Sequence, residues 1–178
     1  EPDDLPALPP GSPTASQGKT GYKLVDKILD ELKKAAAVSG VPLGLLVGWI
    51  ARESGGRLSE VTKKYDERGY FQLMPAESQS LNLDHQRLSI DPVYSINAGL
   101  LLVGKYMKMA DALGVAPKGS PYYWSLVKLG HTMGAGATKK IVEGAKAASS
   151  AGTWDALERH AIENDAKYLS STKHSPKK

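Results

Sequence analysis

VPLGLLVGWIARESGG, residues 41–56, is an apolar run followed by Arg52, Glu53, Ser54 and two glycines. Pro42 suits the first turn of a helix, and Gly55 and Gly56 sustain a helix poorly, so the stretch predicts a buried helix that ends at Glu53. A carboxyl group on the last turn of such a helix is partly stripped of water. Because desolvation and the negative helix end both disfavour the charged form, we expect the pKa of Glu53 to rise toward the range of a general acid.

A second informative stretch, GYFQLMP at residues 69–75, follows a polar segment without a hydrophobic period. Gln72 offers both a hydrogen-bond donor and acceptors. Met74 offers adaptable apolar contact, and Gly69 favours an unusual backbone conformation. The alternative is that the apolar side chains of this stretch are core residues under a loop.

A third stretch, Asp91-Pro92 followed by Asn97 and Gly99, opens a long helical pattern. Proline is favoured at the first helical position. An asparagine near the start of a helix either lines a groove or caps the backbone locally.

In this order, the three stretches resemble the SLT-type lytic transglycosylases, enzymes that cleave the glycan strand of bacterial peptidoglycan. The resemblance implies a mainly α fold, lysozyme-like (SLT or goose type), with a substrate groove and minimal β structure. It implies that Glu53 is the catalytic residue and that no metal or organic cofactor is needed. The substrate-binding residues that it implies are Ser54, Tyr70, Gln72, Met74, Asn97 and His131.

His131 enters this set through a departure from the family pattern. The family has a later Tyr-Asn-Ala-Gly motif whose Tyr contacts the catalytic carboxyl, and the nearest segment here is LGHTMG, residues 129–134. This alignment places His131 where the Tyr would be. If protonated, His131 would hold Glu53 ionised and oppose its role as an acid. The alternative is a turn residue between helices. A second departure is Tyr70-Phe71, where the family has Leu-Met.

The resemblance also implies a mechanism that uses one carboxyl group. Glu53 would protonate the oxygen leaving C1 of N-acetylmuramic acid, and as a carboxylate would then take the proton of the C6 hydroxyl, which closes a 1,6-anhydro ring. The first alternative is a hydrolysing goose-type lysozyme, with Asp66 or Glu67 positioning water. The second, favoured by the missing Tyr, is a non-catalytic peptidoglycan-binding or assembly module.

Composition narrows the classes of function. The net charge of +4 is spread along the chain, without the basic face and stacking aromatics of a nucleic-acid binder. No apolar run approaches the roughly 20 residues that a membrane span requires. The four histidines show no i, i+4 pair, so we expect no zinc site. We expect a monomer that acts on glycan strands in the periplasm, outside the cell or on a virion, with envelope or secretion machinery as a candidate partner.

The chain is long enough for one domain with a core. Residues 1–19 hold five of the eleven prolines and predict a disordered leader or linker. We expect the lysozyme-like domain over residues 20–169 and a flexible basic tail over residues 170–178. An irregular segment with room for a short hairpin is expected over residues 56–75.

The aromatic run YYW at residues 122–124 fits either core or a sugar-stacking platform. Helices are predicted over residues 22–38, 42–53, 75–81, 92–113, 121–130, 137–148 and 153–169.

Overall fold

The structure, a computed structural model, describes residues 19–164 and Tyr168. The predicted tail and all of the predicted leader except Lys19 lie outside the described residues. Within the described part, the regular elements are eight α-helices and one 3₁₀ helix at Arg87–Ser89, which confirms the mainly α prediction. The α-helices are α1 (Lys23–Asp26), α2 (Leu29–Ser39), α3 (Leu43–Glu53), α4 (Pro75–Ser80), α5 (Pro92–Leu113), α6 (Pro121–Met133), α7 (Ala135–Ala147) and α8 (Trp154–Glu163).

The chain divides into two compact units, residues 1–101 and 102–178. In the first unit, α3 packs against α1 and α2. In the second unit, α7 packs against α6 and α8. None of the described helices combines the length and the apolar character needed to cross a membrane.

Helix α3 has the predicted end. Its buried residues Leu46, Val47, Trp49 and Ile50 recur at helical spacing, so one face of the helix joins the core. Glu53 is its last residue, because Gly55 and Gly56 follow with φ of 62° and 81°, values that a continuing helix cannot use.

Helix α5 begins at Pro92 and ends at Leu113, as predicted. The Asp91 carboxylate accepts the backbone N–H of Tyr94 at 3.0 Å and thereby caps the first turn. This bond, together with hydrogen bonding from Arg87, lowers the pKa of Asp91. The start of α5 is therefore set by a local cap, Asp91 before Pro92, that can be read from the sequence.

The prediction of a single helix over residues 22–38 is wrong. Ile28, with φ of −115° and ψ of 10°, separates α1 from α2. Its N–H bonds the carbonyl of Val25 at 3.0 Å, one residue closer than an α-helix would use. This tighter turn barely changes the spacing of the apolar residues along the helix. Hydrophobic periodicity alone therefore does not detect the break between α1 and α2.

The predicted end of α6 at Gly130 is also wrong, since the helix continues to Met133 and stops at Gly134 with φ of 84°. Gly130 serves packing instead. A Cβ on Gly130 would lie 2.7 Å from the terminal methyl of Met109 and 2.8 Å from the Tyr106 ring. The glycine thus lets α6 approach α5 closely. Helix α8 ends at Glu163, and beyond Asn164 the rest of the predicted range, apart from Tyr168, lies outside the described residues.

The aromatic run at the start of α6 is divided between core and partial exposure. Tyr122 and Tyr123 are buried, whereas Trp124 is half-buried. The Tyr123 hydroxyl donates to an Asp111 carboxylate oxygen at 3.0 Å and also lies 3.2 Å from Met107 O, and burial raises the pKa of Tyr123 to about 12. For the two tyrosines, these contacts favour the core alternative.

The segment 56–75 is irregular and contains two isolated antiparallel bridges, Val61 with Arg68 and Arg68 with Leu73. Phe71 from this segment is fully buried. Its ring lies on Gly99 of α5, with the Trp49 ring of α3 6.1 Å away. A Cβ on Gly99 would overlap the Phe71 ring.

Gly99→Ala should therefore destabilise the protein, by about 1–3 kcal/mol for an overpacked core. Gly104→Ala on the same helix is the matched control, because nothing lies within 4 Å of the added Cβ. This control should stabilise the protein by ~0.5–1 kcal/mol, since alanine is the better helix former. Thermal and urea unfolding measure both changes, and a Gly99→Ala protein as stable as the control would contradict the packing described.

Candidate functional site

The carboxyl group of Glu53 lies at the C-terminal end of α3, and its residue is half-buried. The preceding turn is anchored by the buried side chains of Trp49 and Ile50. The N–H of Ser54 bonds the carbonyl of Ile50 at 3.0 Å and closes the last turn. The helix thus carries a carboxyl group to the edge of the core with part of its surface in solvent.

Ser54 connects this helix end to the stretch 69–75. The residue is only 3% exposed, and its hydroxyl lies 2.9 Å from the carbonyl oxygen of Tyr70 and 3.2 Å from that of Ile50. The hydroxyl also accepts the N–H of Gly56 at 3.2 Å. These bonds give Ser54 a structural task at the end of α3, while its predicted contact with sugar stays a prediction.

The stretch that Ser54 contacts is a closed loop. Arg68 and Leu73 exchange two backbone hydrogen bonds of 3.0 Å, with four residues between them. Gly69 and Gln72 have φ of 76° and 50°, so the chain enters and leaves the loop in left-handed conformations. At Gly69 a side chain is excluded, because a Cβ would lie 2.5 Å from Ser95 Oγ and 2.6 Å from Leu88 O.

Ser95 of α5 binds this loop, and sequence reasoning missed it. Its hydroxyl accepts the backbone N–H of Tyr70 at 2.9 Å. The available signal was a small polar residue beside the apolar Ile96, one turn before Gly99 on the helix face that turns inward. Spacing alone cannot distinguish such a serine from a filler residue.

Gln72 is 5% exposed, and its amide nitrogen donates to Gly69 O at 2.8 Å and to Glu60 O at 3.0 Å. Two carbonyl acceptors fix the orientation of the amide, since a flipped oxygen would face them. Within the described residues, the buried Gln72 Oε1 has no hydrogen-bond partner. Gln72 therefore holds the loop together and keeps one acceptor unused.

Tyr70 and Met74 differ in access to solvent. Tyr70 is buried, and its burial raises the pKa of its hydroxyl. Met74 is 40% exposed at the start of α4, where its N–H donates to the Glu77 carboxylate at 2.9 Å. Of these two predicted binding residues, only Met74 offers a substantial part of its surface to a ligand without rearrangement.

Asn97 lies elsewhere on the first unit. It is exposed and lines a groove between α2 and α5. None of the other predicted site residues lines this groove. The remaining lining residues are Glu31, Lys34, Ala35, Val38, Val93, Ile96 and Leu100.

His131 belongs to the second unit, where it lies in the last turn of α6 and not in a turn between helices. The half-buried ring meets the Tyr106 ring edge-on at 6.0 Å between centroids. Its Nδ1 lies 3.4 Å from Lys128 Nζ. The turn-residue alternative is therefore corrected, while a contact with substrate stays a prediction.

The two carboxylates considered for positioning water are engaged with neighbours. Asp66 Oδ1 accepts Arg68 Nε at 2.8 Å, and His85 Nε2 lies 2.7 Å from the Asp66 carbonyl oxygen. The Glu67 carboxylate accepts the Thr62 hydroxyl at 2.8 Å. In the part of the chain described, no three His, Asp or Glu side chains are grouped to hold a metal ion.

Comparison with known protein families identifies the family of this chain. The family model described as "Transglycosylase SLT domain" matches residues 30–152, which include the end of α3, the loop 69–75 and the start of α5. A search of curated proteins and a search of solved structures each gave no match. Because the family model covers well over half of the chain, the protein belongs to the transglycosylase SLT domain family, the peptidoglycan-directed lytic transglycosylases of the lysozyme-like superfamily.

Proposed function

We propose that this protein cleaves the β-1,4 bond between N-acetylmuramic acid and N-acetylglucosamine in peptidoglycan and forms 1,6-anhydro-N-acetylmuramic acid, with Glu53 as acid and then base. The observation that carries the proposal is the half-buried Glu53 at the end of α3, whose neighbour Ser54 bonds the loop 69–75 within the region matched by the family. An anchored carboxyl with partial access to solvent suits proton exchange with a bound sugar.

The proposed reaction needs one carboxyl group. Retaining glycosidases use two, about 5 Å apart. Here the Glu53 proton goes to the leaving oxygen, while the acetamide carbonyl of the sugar stabilises the developing positive charge at C1. The Glu53 carboxylate then takes the C6 hydroxyl proton as that oxygen bonds to C1. The acid form is regenerated, and no water is consumed.

The predicted binding residues divide into two groups by exposure. Tyr70, Gln72 and Ser54 are buried, which favours a role in shaping the wall of the sugar groove. Met74 and Asn97 are exposed and available for direct contact with a glycan. A contact of His131 with the substrate is part of the same proposal.

The hydrolysing alternative would need a second carboxylate to position water. Asp66 and Glu67 are both engaged in hydrogen bonds with their own loop, which favours the one-carboxyl mechanism. Action on peptidoglycan implies work in the cell envelope or outside the cell. A monomeric state and a partner in envelope or secretion machinery remain predictions.

Glu53→Gln should abolish cleavage while the fold is retained, because the amide keeps the shape but cannot exchange the proton. General acid catalysis contributes on the order of 100-fold or more, so the rate should fall at least that far. Clearing of purified sacculi measures the rate. Glu143→Gln is the matched control, because Glu143 is an exposed carboxylate on α7. Digestion by Glu53→Gln at the wild-type rate would exclude Glu53 as the acid.

The products should distinguish transglycosylation from hydrolysis. Ring closure adds no water, so muropeptides released from sacculi should be lighter by one water than hydrolytic fragments. Mass spectrometry of a complete digest, with a hydrolysing lysozyme as reference, measures this difference. Products that carry only reducing-end muramic acid would transfer the assignment to a lysozyme, and Asp66→Asn and Glu67→Gln would then be the next variants to test.

A further inference from the structure

Both backbone polar groups of Tyr70 are held by serine hydroxyls from different parts of the first unit. The N–H donates to Ser95 Oγ of α5 at 2.9 Å. The carbonyl oxygen accepts the Ser54 hydroxyl at 2.9 Å. A continuous chain of hydrogen bonds therefore runs from α5 through the backbone of Tyr70 to the residue that follows Glu53.

The α5 end of this chain is closely packed. Ser95 is 1% exposed, and a Cβ on Gly69 would lie 2.5 Å from its hydroxyl. Tyr70 is buried as well. A buried N–H that loses its partner is costly, so the Ser95 hydroxyl is a specific requirement of this site.

The Glu53 end of the chain needs such support. Glu53 is the last residue of α3, and beyond Ser54 the chain continues into Gly55 and Gly56, both at positive φ. The position of the Glu53 backbone therefore depends on how the residue that follows it, Ser54, is held. A displacement of about 1 Å from the reactive position can cost on the order of 100-fold in rate.

We propose that Ser95 is a positioning residue for Glu53, acting through the Tyr70 backbone and the Ser54 hydroxyl. The inference rests on the proposed function in that Glu53 is the acid. It adds that a helix remote in sequence sets the position of that acid. Ser95 itself touches neither the carboxyl group nor the substrate in this scheme.

Ser95→Ala, Ser54→Ala and the double variant test the inference on soluble, uncrosslinked peptidoglycan strands. Each single variant should lower kcat on the order of 10-fold and change KM much less, because the acid is misplaced while most of the groove still binds. The double variant should lose little more than the worse single one, since both hydroxyls act through the same residue. Ser95→Thr, which keeps the hydroxyl, should recover part of kcat.

Ser78→Ala is the matched control. Ser78 is also 1% exposed, and its hydroxyl bonds His85 Nδ1 at 2.7 Å, so the same change removes one buried side-chain hydrogen bond away from Tyr70. Rates are compared well below the Tm of every variant. A kcat for Ser95→Ala that equals the wild-type value or the Ser78→Ala value would overturn the inference. So would losses that multiply in the double variant.

A second measurement does not depend on activity. The ¹³C signal of the Glu53 carboxyl, recorded at fixed pH, should shift in Ser95→Ala and stay in place in Ser78→Ala. A signal unchanged by Ser95→Ala overturns the inference. If the wild-type protein leaves glycan strands intact, the proposed function fails, and this signal still decides whether Ser95 positions Glu53.

Discussion

The contact of the Phe71 ring with the bare backbone of Gly99 determines where the loop 69–75 lies on α5. The ring is fully buried, and it also meets Trp49 of α3, so one side chain joins the loop to two helices of the first unit. Buried aromatic rings contribute a large apolar area, and interiors tolerate little change of volume. Because the ring occupies the space that a side chain at position 99 would need, the loop 69–75 packs on α5 in a single position.

Polar contacts refine this arrangement at the end that carries the carboxyl group. The hydroxyls of Ser54 and Ser95 hold the backbone of Tyr70, and the Gln72 amide bonds two carbonyl oxygens of its own loop. Buried polar groups need partners, so these short side chains satisfy backbone groups that no regular element would satisfy. The departure from the family pattern at Tyr70-Phe71 is accommodated because both side chains enter the core.

The predicted substrate-binding residues consequently differ in their access to solvent. Residues named from the resemblance as sugar contacts include three that are buried, Ser54, Tyr70 and Gln72, and their side chains shape the loop. Met74, which is close to Tyr70 and Gln72 in sequence, is exposed. The geometry therefore separates the buried residues of this predicted set from the exposed ones, a distinction that residue type does not reveal.

The sequence alone determined the mainly α architecture, the end of α3 at Glu53, and both ends of α5, because prolines, glycines and apolar periodicity act locally. Tertiary structure decided the break at Ile28, because a tighter turn leaves the spacing of apolar residues almost unchanged. It also decided the role of Gly130, because in sequence a glycine that allows close helix packing cannot be told from one that ends a helix. It also revealed Ser95, which sequence could not distinguish, because a buried serine is defined by the distant N–H that it accepts.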